Sequence, residues 1–357
     1  MKQIIRTLVV DDSALMRKLL PQIIESEGSI QVVGTAMDGE FALKKIEELR
    51  PDVITLDLEM PRMDGMETLK QITRRFGIPV IVVSAHTTEG AAATFRALNQ
   101  GAFDFVAKPK DALSAHMEEI TRDLITKIRA AAMSRLVPRK EIQLSFERVQ
   151  KASKVRPLAR KIIAIGISTG GPNSLQYVLA QLPADFPASI VIVQHMPEGF
   201  TELFARRLDE CCAVDVKEAQ TGDLLLAGRV LICPGNKHVK VRRMPQASVA
   251  ILNDDSPVNG HRPSADPLFY SVAAEFGSDS IGVLMTGMGE DGAEGLGAMR
   301  RAGALTIAQD EQSSIVFGMP RAAIERGYAM RVVSLDAMAN ALQINSAAEK
   351  PRAATKV

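Results

Sequence analysis

The chain has 357 residues, with 43 Lys and Arg against 42 Asp and Glu; the net charge of +1 gives no whole-chain sign of a nucleic-acid or membrane partner. An apolar share of 46% and a charged share of 24% are those of a globular protein, and the length points to two domains. No apolar run approaches the roughly 18 residues needed to span a bilayer, and the N-terminus lacks a signal peptide's apolar core, so no membrane insertion and a cytoplasmic location are expected.

In chain order, strands are predicted over 7–10, 30–35, 53–57, 80–84 and 105–107. Amphipathic stretches over 14–26, 40–49, 66–76 and 91–99 separate them. A last helix carries apolar residues at Leu113, Met117, Ile120, Leu124 and Ile128, one stripe at helical spacing. Five β-α units in succession predict a five-stranded parallel α/β domain over 1–126. Residues 127–160 are read as a basic linker, because Lys127–Lys161 holds eleven Lys and Arg against Glu141 and Glu147. A solvated tether is the plainer reading of that charge, and a docking strip for an acidic surface the sharper one.

A second, larger α/β domain is predicted over 161–346, doubly wound and mostly parallel. Its strands fall at 162–167, 189–194, 214–217, 229–233, 281–286, 305–308 and 330–333, with a β-hairpin at 238–242 and 249–252. Its helices fall at 174–182, 200–211, 266–276, 292–302, 321–325 and 335–342. Residues 347–357 read as a disordered polar tail. Cys211, Cys212 and Cys233 have neither disulfide nor metal-ligand spacing and read as small core residues.

Ligands of open α/β sheets bind beyond the carboxyl ends of the strands. In the first domain Asp11, Asp12, Asp57, Ser84 and Lys108 all stand at such ends. Clustered carboxylates repel unless a cation sits among them, and Mg²⁺ suits oxygen ligands beside a phosphate. Helix capping explains one such Asp, not the whole set. This constellation resembles the receiver domain of two-component response regulators, over about residues 1–125. The resemblance implies that Asp57 accepts a phosphoryl group from a histidine kinase. It further implies that Asp11 or Asp12, Asp57 and the Glu59 carbonyl hold Mg²⁺, that Ser84 binds the phosphoryl group, and that Lys108 pairs with it. The aromatic switch position is Phe105 here, without a hydroxyl.

In the second domain GISTGGP (166–172) follows a strand and opens a helix, which exposes Ser168 on a tight turn. Alone the pattern is weak, since a phosphate loop or a plain cap also fits. A serine nucleophile needs a base. Of His86, His116, His195, His238 and His261, only His195 directly ends the neighbouring strand; His261 is the runner-up. TGMGEDGA (286–293) offers Asp291 as the carboxylate that orients the imidazole, against a plain N-cap reading. The order Ser…His…Asp differs from that of α/β-hydrolases.

These segments, with VQHMP (193–197), CPGNKH (233–238) and HRPSAD (261–266), resemble the catalytic domain of the chemotaxis protein-glutamate methylesterases, the CheB response regulators. The resemblance runs from about Lys161 to Leu342. It implies that Ser168 is the nucleophile, His195 the base and Asp291 its orienter, with the Met288 N–H an oxyanion donor and Thr169 positioning His195. It implies phosphorylation-activated hydrolysis of glutamate γ-methyl esters, and deamidation of glutamines, on chemoreceptors. Mg²⁺ is expected for receiver phosphorylation and no cofactor for the ester chemistry. A non-enzymatic phospho-dependent receptor-docking protein is the alternative, disfavoured by the intact Ser168, His195 and Asp291. A DNA-binding output is disfavoured because nothing in the second half resembles a helix-turn-helix. A receiver in front of an esterase is also expected to restrain it until phosphorylated.

Overall fold

The computed structural model describes residues 4–85, 87–108, 117–134 and 156–346. The chain divides into two compact units, residues 1–144 and 145–357. Among the described residues, no helix is long and apolar enough to cross a membrane.

The first unit alternates β1 (Ile5–Val10), α1 (Met16–Glu25), β2 (Ile30–Ala36), α2 (Gly39–Leu49), β3 (Val53–Leu56), α3 (Gly65–Arg75), β4 (Val80–Ser84), α4 (Thr88–Asn99), β5 (Asp104–Ala107) and α5 (Met117–Met133). The five strands are parallel, in the order β2-β1-β3-β4-β5. β3, β4 and β5 are buried throughout, which is why they read as short runs without alternation. β1 lies between β2 and β3, so the winding reverses there. Val10 pairs with Leu56, and this register places Asp11 beside Asp57. Asp38 and Asp64 cap α2 and α3 by accepting from Phe41 N and Glu67 N.

One boundary expectation is corrected. Lys127 does not open a linker: it lies inside α5 and is buried. Its ammonium donates to the Phe105 carbonyl at 2.6 Å and to Asp123 Oδ2 at 2.9 Å, and it lies 3.6 Å from Asp104 Oδ1. Burial opposes its charge, but Asp104 and Asp123 together raise its pKa above the ordinary lysine value. A count of cations could not tell this buried one from solvated ones. At the other end of the basic stretch, Arg156 donates to the carbonyls of Ala184 and Ala227, and Ala159 N to Leu225 O, so 156–160 belongs to the second unit. Residues 135–155, the tail 347–357, Leu113, His86 and His116 lie outside the described residues.

The second unit runs β6 (Ile162–Ile167), α6 (Gly171–Leu179), β7 (Ser189–Gln194), α7 (Phe200–Cys211), β8 (Asp215–Glu218), β9 (Arg229–Ile232), β10 (His238–Arg243), β11 (Ser248–Asn253), α8 (Ala265–Phe276), β12 (Ser280–Leu284), α9 (Ala293–Arg301), β13 (Leu305–Gln309), α10 (Met319–Glu325), β14 (Arg331–Val333) and α11 (Leu335–Ser346). Seven parallel strands are ordered β14-β13-β12-β6-β7-β9-β8, and β10-β11 form a separate antiparallel pair. β6 is central, with β7 on one side and β12 on the other, and the segments after these three strands meet at one sheet edge. Gly166 lets α8 come close: a Cβ there would lie 2.7 Å from Ala265 Cβ and 3.0 Å from Leu284 Cδ1. That close packing brings the first turn of α8 to the same edge.

Candidate active site

His195 joins the two other residues of the candidate set. Its Nδ1 lies 3.2 Å from Ser168 Oγ and its Nε2 2.8 Å from Asp291 Oδ2. The carboxylate accepts only, so Nε2 carries the proton and the Nδ1 lone pair faces the serine. The backbone fixes both partners: Ser168 N donates to Thr286 O at 2.9 Å, and His195 N to Ile167 O at 3.1 Å.

Asp291 is buried and is not the cap of the helix that follows it. The N-cap of α9 is Gly292, whose φ of 83° suits glycine and which has no side-chain cap. The Asp291 carboxylate instead takes four donors. Asn259 Nδ2 (2.9 Å) and Ser264 Oγ (2.5 Å) reach Oδ1, while the Ala265 N–H (2.7 Å) and His195 reach Oδ2. Ser264 is the N-cap of α8, so Asp291 sits at the start of that helix, where anions are favoured. Burial opposes its ionisation, yet the bond and charge of His195, with Ser264 and Ala265, hold its pKa below the usual carboxylate range.

Asn259 also donates to Asp266 Oδ2 at 2.7 Å, so one amide separates two buried carboxylates. Asp266 is pushed up by burial, and the charge of Asp291 adds to this. His238 is buried, and burial pushes its pKa down. Its Nδ1 accepts from Ser264 N (3.3 Å), and its Nε2 donates to Ser256 O (3.2 Å), which steadies Ser264.

Two further residues tie the turns together. Gln194 Nε2 donates to the carbonyls of Ser168 and His195, both at 3.1 Å. Thr286 Oγ1 donates to Thr169 O at 3.0 Å and accepts from Val316 N at 2.9 Å, while Gln309 Oε1 receives Thr286 N at 2.9 Å. Thr169 is buried, and its carbonyl accepts the Thr286 hydroxyl. Gly287 packs on the serine, since a Cβ there would lie 2.8 Å from Ser168 Cβ. The next N–H, of Met288, donates to no group among the described residues. Asn259, Ser264, Gln194 and Thr286 were given no role by sequence reasoning, although three of them lie in motifs it singled out.

In the first unit Asp11, Asp12 and Asp57 bring carboxylate oxygens within 4.8 Å of one another. Lys108 Nζ lies 2.6 Å from Asp57 Oδ2 and 3.1 Å from Asp11 Oδ2. Burial raises the Asp11 pKa, with Asp57 adding to the effect against Lys108. Burial opposes the charge of Lys108, but the bond to Asp57 and the charge of Asp11 raise its pKa. The Asp11 Oδ2 oxygen is buried without a well-directed hydrogen bond. A hard divalent cation fits this donor set. Glu59 is exposed, and its N–H donates to Asp57 Oδ1 at 3.2 Å. Ser84 is buried and donates to Gly90 O at 3.0 Å, in the first turn of α4.

The fold and sites define a two-unit α/β protein: an acid-pocket receiver followed by a parallel-sheet unit in which Ser168, His195 and Asp291 are in contact. Residues 163–342 match the CheB methylesterase family, and residues 7–118 the response regulator receiver domain. The chain belongs to the CheB methylesterase family. It is 60% identical over 354 residues to protein-glutamate methylesterase/protein-glutamine glutaminase 2 of Koribacter versatilis, covering 97% of each chain. It is 48% identical to the protein-glutamate methylesterase/protein-glutamine glutaminase of Pyrococcus horikoshii, over 93% of this chain and 91% of that one. The second unit is similar to the crystal structure of the Thermotoga maritima CheB methylesterase catalytic domain. The identity there is 39% and the TM-score 0.51, covering 52% of this chain and 99% of that one.

Proposed function

We propose that this chain hydrolyses glutamate γ-methyl esters and deamidates glutamines on chemoreceptors, that phosphorylation of its receiver raises the rate, and that Ser168 is the nucleophile. The observation that carries the chemistry is the ring of His195, which meets Ser168 with one nitrogen and Asp291 with the other. Ser168 Oγ attacks the ester carbonyl while Nδ1 of His195 takes its proton. The imidazolium is held by Asp291, whose carboxylate is saturated with donors and stays ionised. The Met288 N–H stabilises the oxyanion. The imidazolium then protonates the leaving methoxide, and methanol departs. Water, deprotonated by the same Nδ1, cleaves the acyl-enzyme to glutamate and restores Ser168. A glutamine follows the same course, with ammonia as the leaving group.

Asp57 accepts the phosphoryl group, from a histidine kinase, on its carboxylate. Mg²⁺, held by Asp11, Asp12, Asp57 and the Glu59 carbonyl, would offset the charge of the incoming phosphoryl group. Lys108, already on Asp57, pairs with that group. Ser84 exchanges its bond to Gly90 for a phosphoryl oxygen. Methanol release from methylated receptor membranes, with and without an acyl-phosphate donor, tests the reading: release should rise with the donor. A protein that binds receptors but releases no methanol would be a docking protein instead.

A further inference from the structure

His261 lies flat on His195: the ring centroids are 4.0 Å apart and the planes inclined by 13°. A tight turn holds it there. Val258 and His261 exchange both backbone hydrogen bonds, at 3.0 and 2.9 Å. The two residues between them, Asn259 and Gly260, have φ of 54° and 77°, as a two-residue turn with both centres left-handed requires. Arg262 anchors the far side, through Asn236 Oδ1 at 3.0 and 2.6 Å and the carbonyls of Asp254 and Asp255 at 3.2 and 3.3 Å. The same segment delivers Asn259, Ser264 and the Ala265 N–H to Asp291.

The hydrogen bonds of His195 lie at its two nitrogens, at the edge of the ring, whereas His261 braces the ring on its face, adding a restraint that the two bonds do not supply. When His195 takes the proton of Ser168 it becomes a cation stacked 4.0 Å from the face of the His261 ring, a contact that is attractive with His261 uncharged.

We propose that His261 is a positioning residue for the ester hydrolysis: its ring fixes the plane of His195 and stabilises the imidazolium formed there. This rests on the reading of Ser168 and His195 given above. The test compares His261→Ala, His261→Phe and His261→Leu in the full-length phosphorylated protein, by methanol release from methylated receptor membranes. His261→Ala should lower kcat by about tenfold with KM changed less than about twofold. His261→Phe should come within about threefold of the parent, and His261→Leu, of similar bulk without an aromatic face, should stay near the Ala variant. The downfield ¹H resonance of the His195 Nε2 proton should be sharp in the parent and the Phe variant and broadened in the Ala variant. If the Ala variant melts early, the Phe and Leu pair decides: equal rates overturn the proposal. A parent-like kcat in His261→Ala, a change confined to KM, or a Phe variant no better than Ala also overturns it. Ser168→Ala run in parallel separates the two layers. Retained activity there overturns the underlying reading, whereas loss there with a silent His261→Ala overturns this proposal alone.

Discussion

At the scale of single residues, the Asp291 carboxylate gathers the candidate site around its four donors. Asparagine there has one acceptor oxygen, so its amide hydrogens would face donors, and His195 would lose the partner that fixes its tautomer. Asp291→Asn should lower kcat by roughly 10³–10⁴-fold and His195→Gln by more, both measured as methanol release. The pH dependence follows from the same contacts. Since the folded pKa of Asp291 is depressed, its stabilising contribution is complete above the unfolded value, about pH 4. That contribution is lost as pH falls through the lower folded value. Urea unfolding of the second unit should therefore weaken below pH 4 more steeply in the parent than in Asp291→Asn. Asn259→Ala, which leaves Asp266 and Asp291 without the amide between them, should cost about 1–3 kcal/mol by the same measurement.

At the scale of elements, α5 shows what charge patterning conceals. Lys127 is held by two carboxylates and the Phe105 carbonyl, and its ammonium lies 5.2 Å over the Phe105 ring. Lys127→Met strands Asp104 in the interior and should destabilise the first unit by about 3–5 kcal/mol. Its raised pKa places the pH-dependent loss on the alkaline side. The contribution is complete below the unfolded lysine value, about 10.4, and fades as pH rises through the higher folded one. Thermal melting at pH 7 and pH 11 reads both. The strands were legible because buried parallel strands leave unbroken apolar runs, as in β6, β7 and β12. Ser168 and His195 were legible as candidates because each directly follows such a run, while Asp291 came from the glycine-rich segment after β12, and the resemblance of the motifs supplied the roles proposed for all three. Asn259, Ser264 and Gln194 were not, because their roles arise from where α8 packs and how the 258–265 turn folds, distances that no spacing along the chain encodes. The same holds for His261, which spacing could offer only as a rival base.

At the scale of the whole molecule, two chemistries share one chain: an acidic pocket proposed to take a phosphoryl group and a Ser–His–Asp set proposed to cleave an ester. Activation can be no larger than the phosphoryl group's preference between the two states of the receiver, about 1.4 kcal/mol for each tenfold. Asp57→Asn should keep the fold and the basal rate yet gain nothing from acetyl phosphate with Mg²⁺. Chelation should likewise abolish the activation and leave basal release unchanged, because none of the residues proposed for the ester chemistry is among those proposed to hold Mg²⁺. If the unphosphorylated receiver restrains the esterase, a chain beginning at residue 156 should release methanol faster than the unphosphorylated full-length protein. A slower fragment would make the receiver an activating domain instead.

The central claim is that Ser168 performs the hydrolysis and that Asp57 sets its rate. It is tested most directly by timing methanol release from methylated receptor membranes for the parent, Ser168→Ala and Asp57→Asn, each with and without acetyl phosphate. The account predicts release that the donor accelerates in the parent, none above background in Ser168→Ala, and unaccelerated release in Asp57→Asn. Near-parental release from Ser168→Ala, or full acceleration in Asp57→Asn, would contradict it.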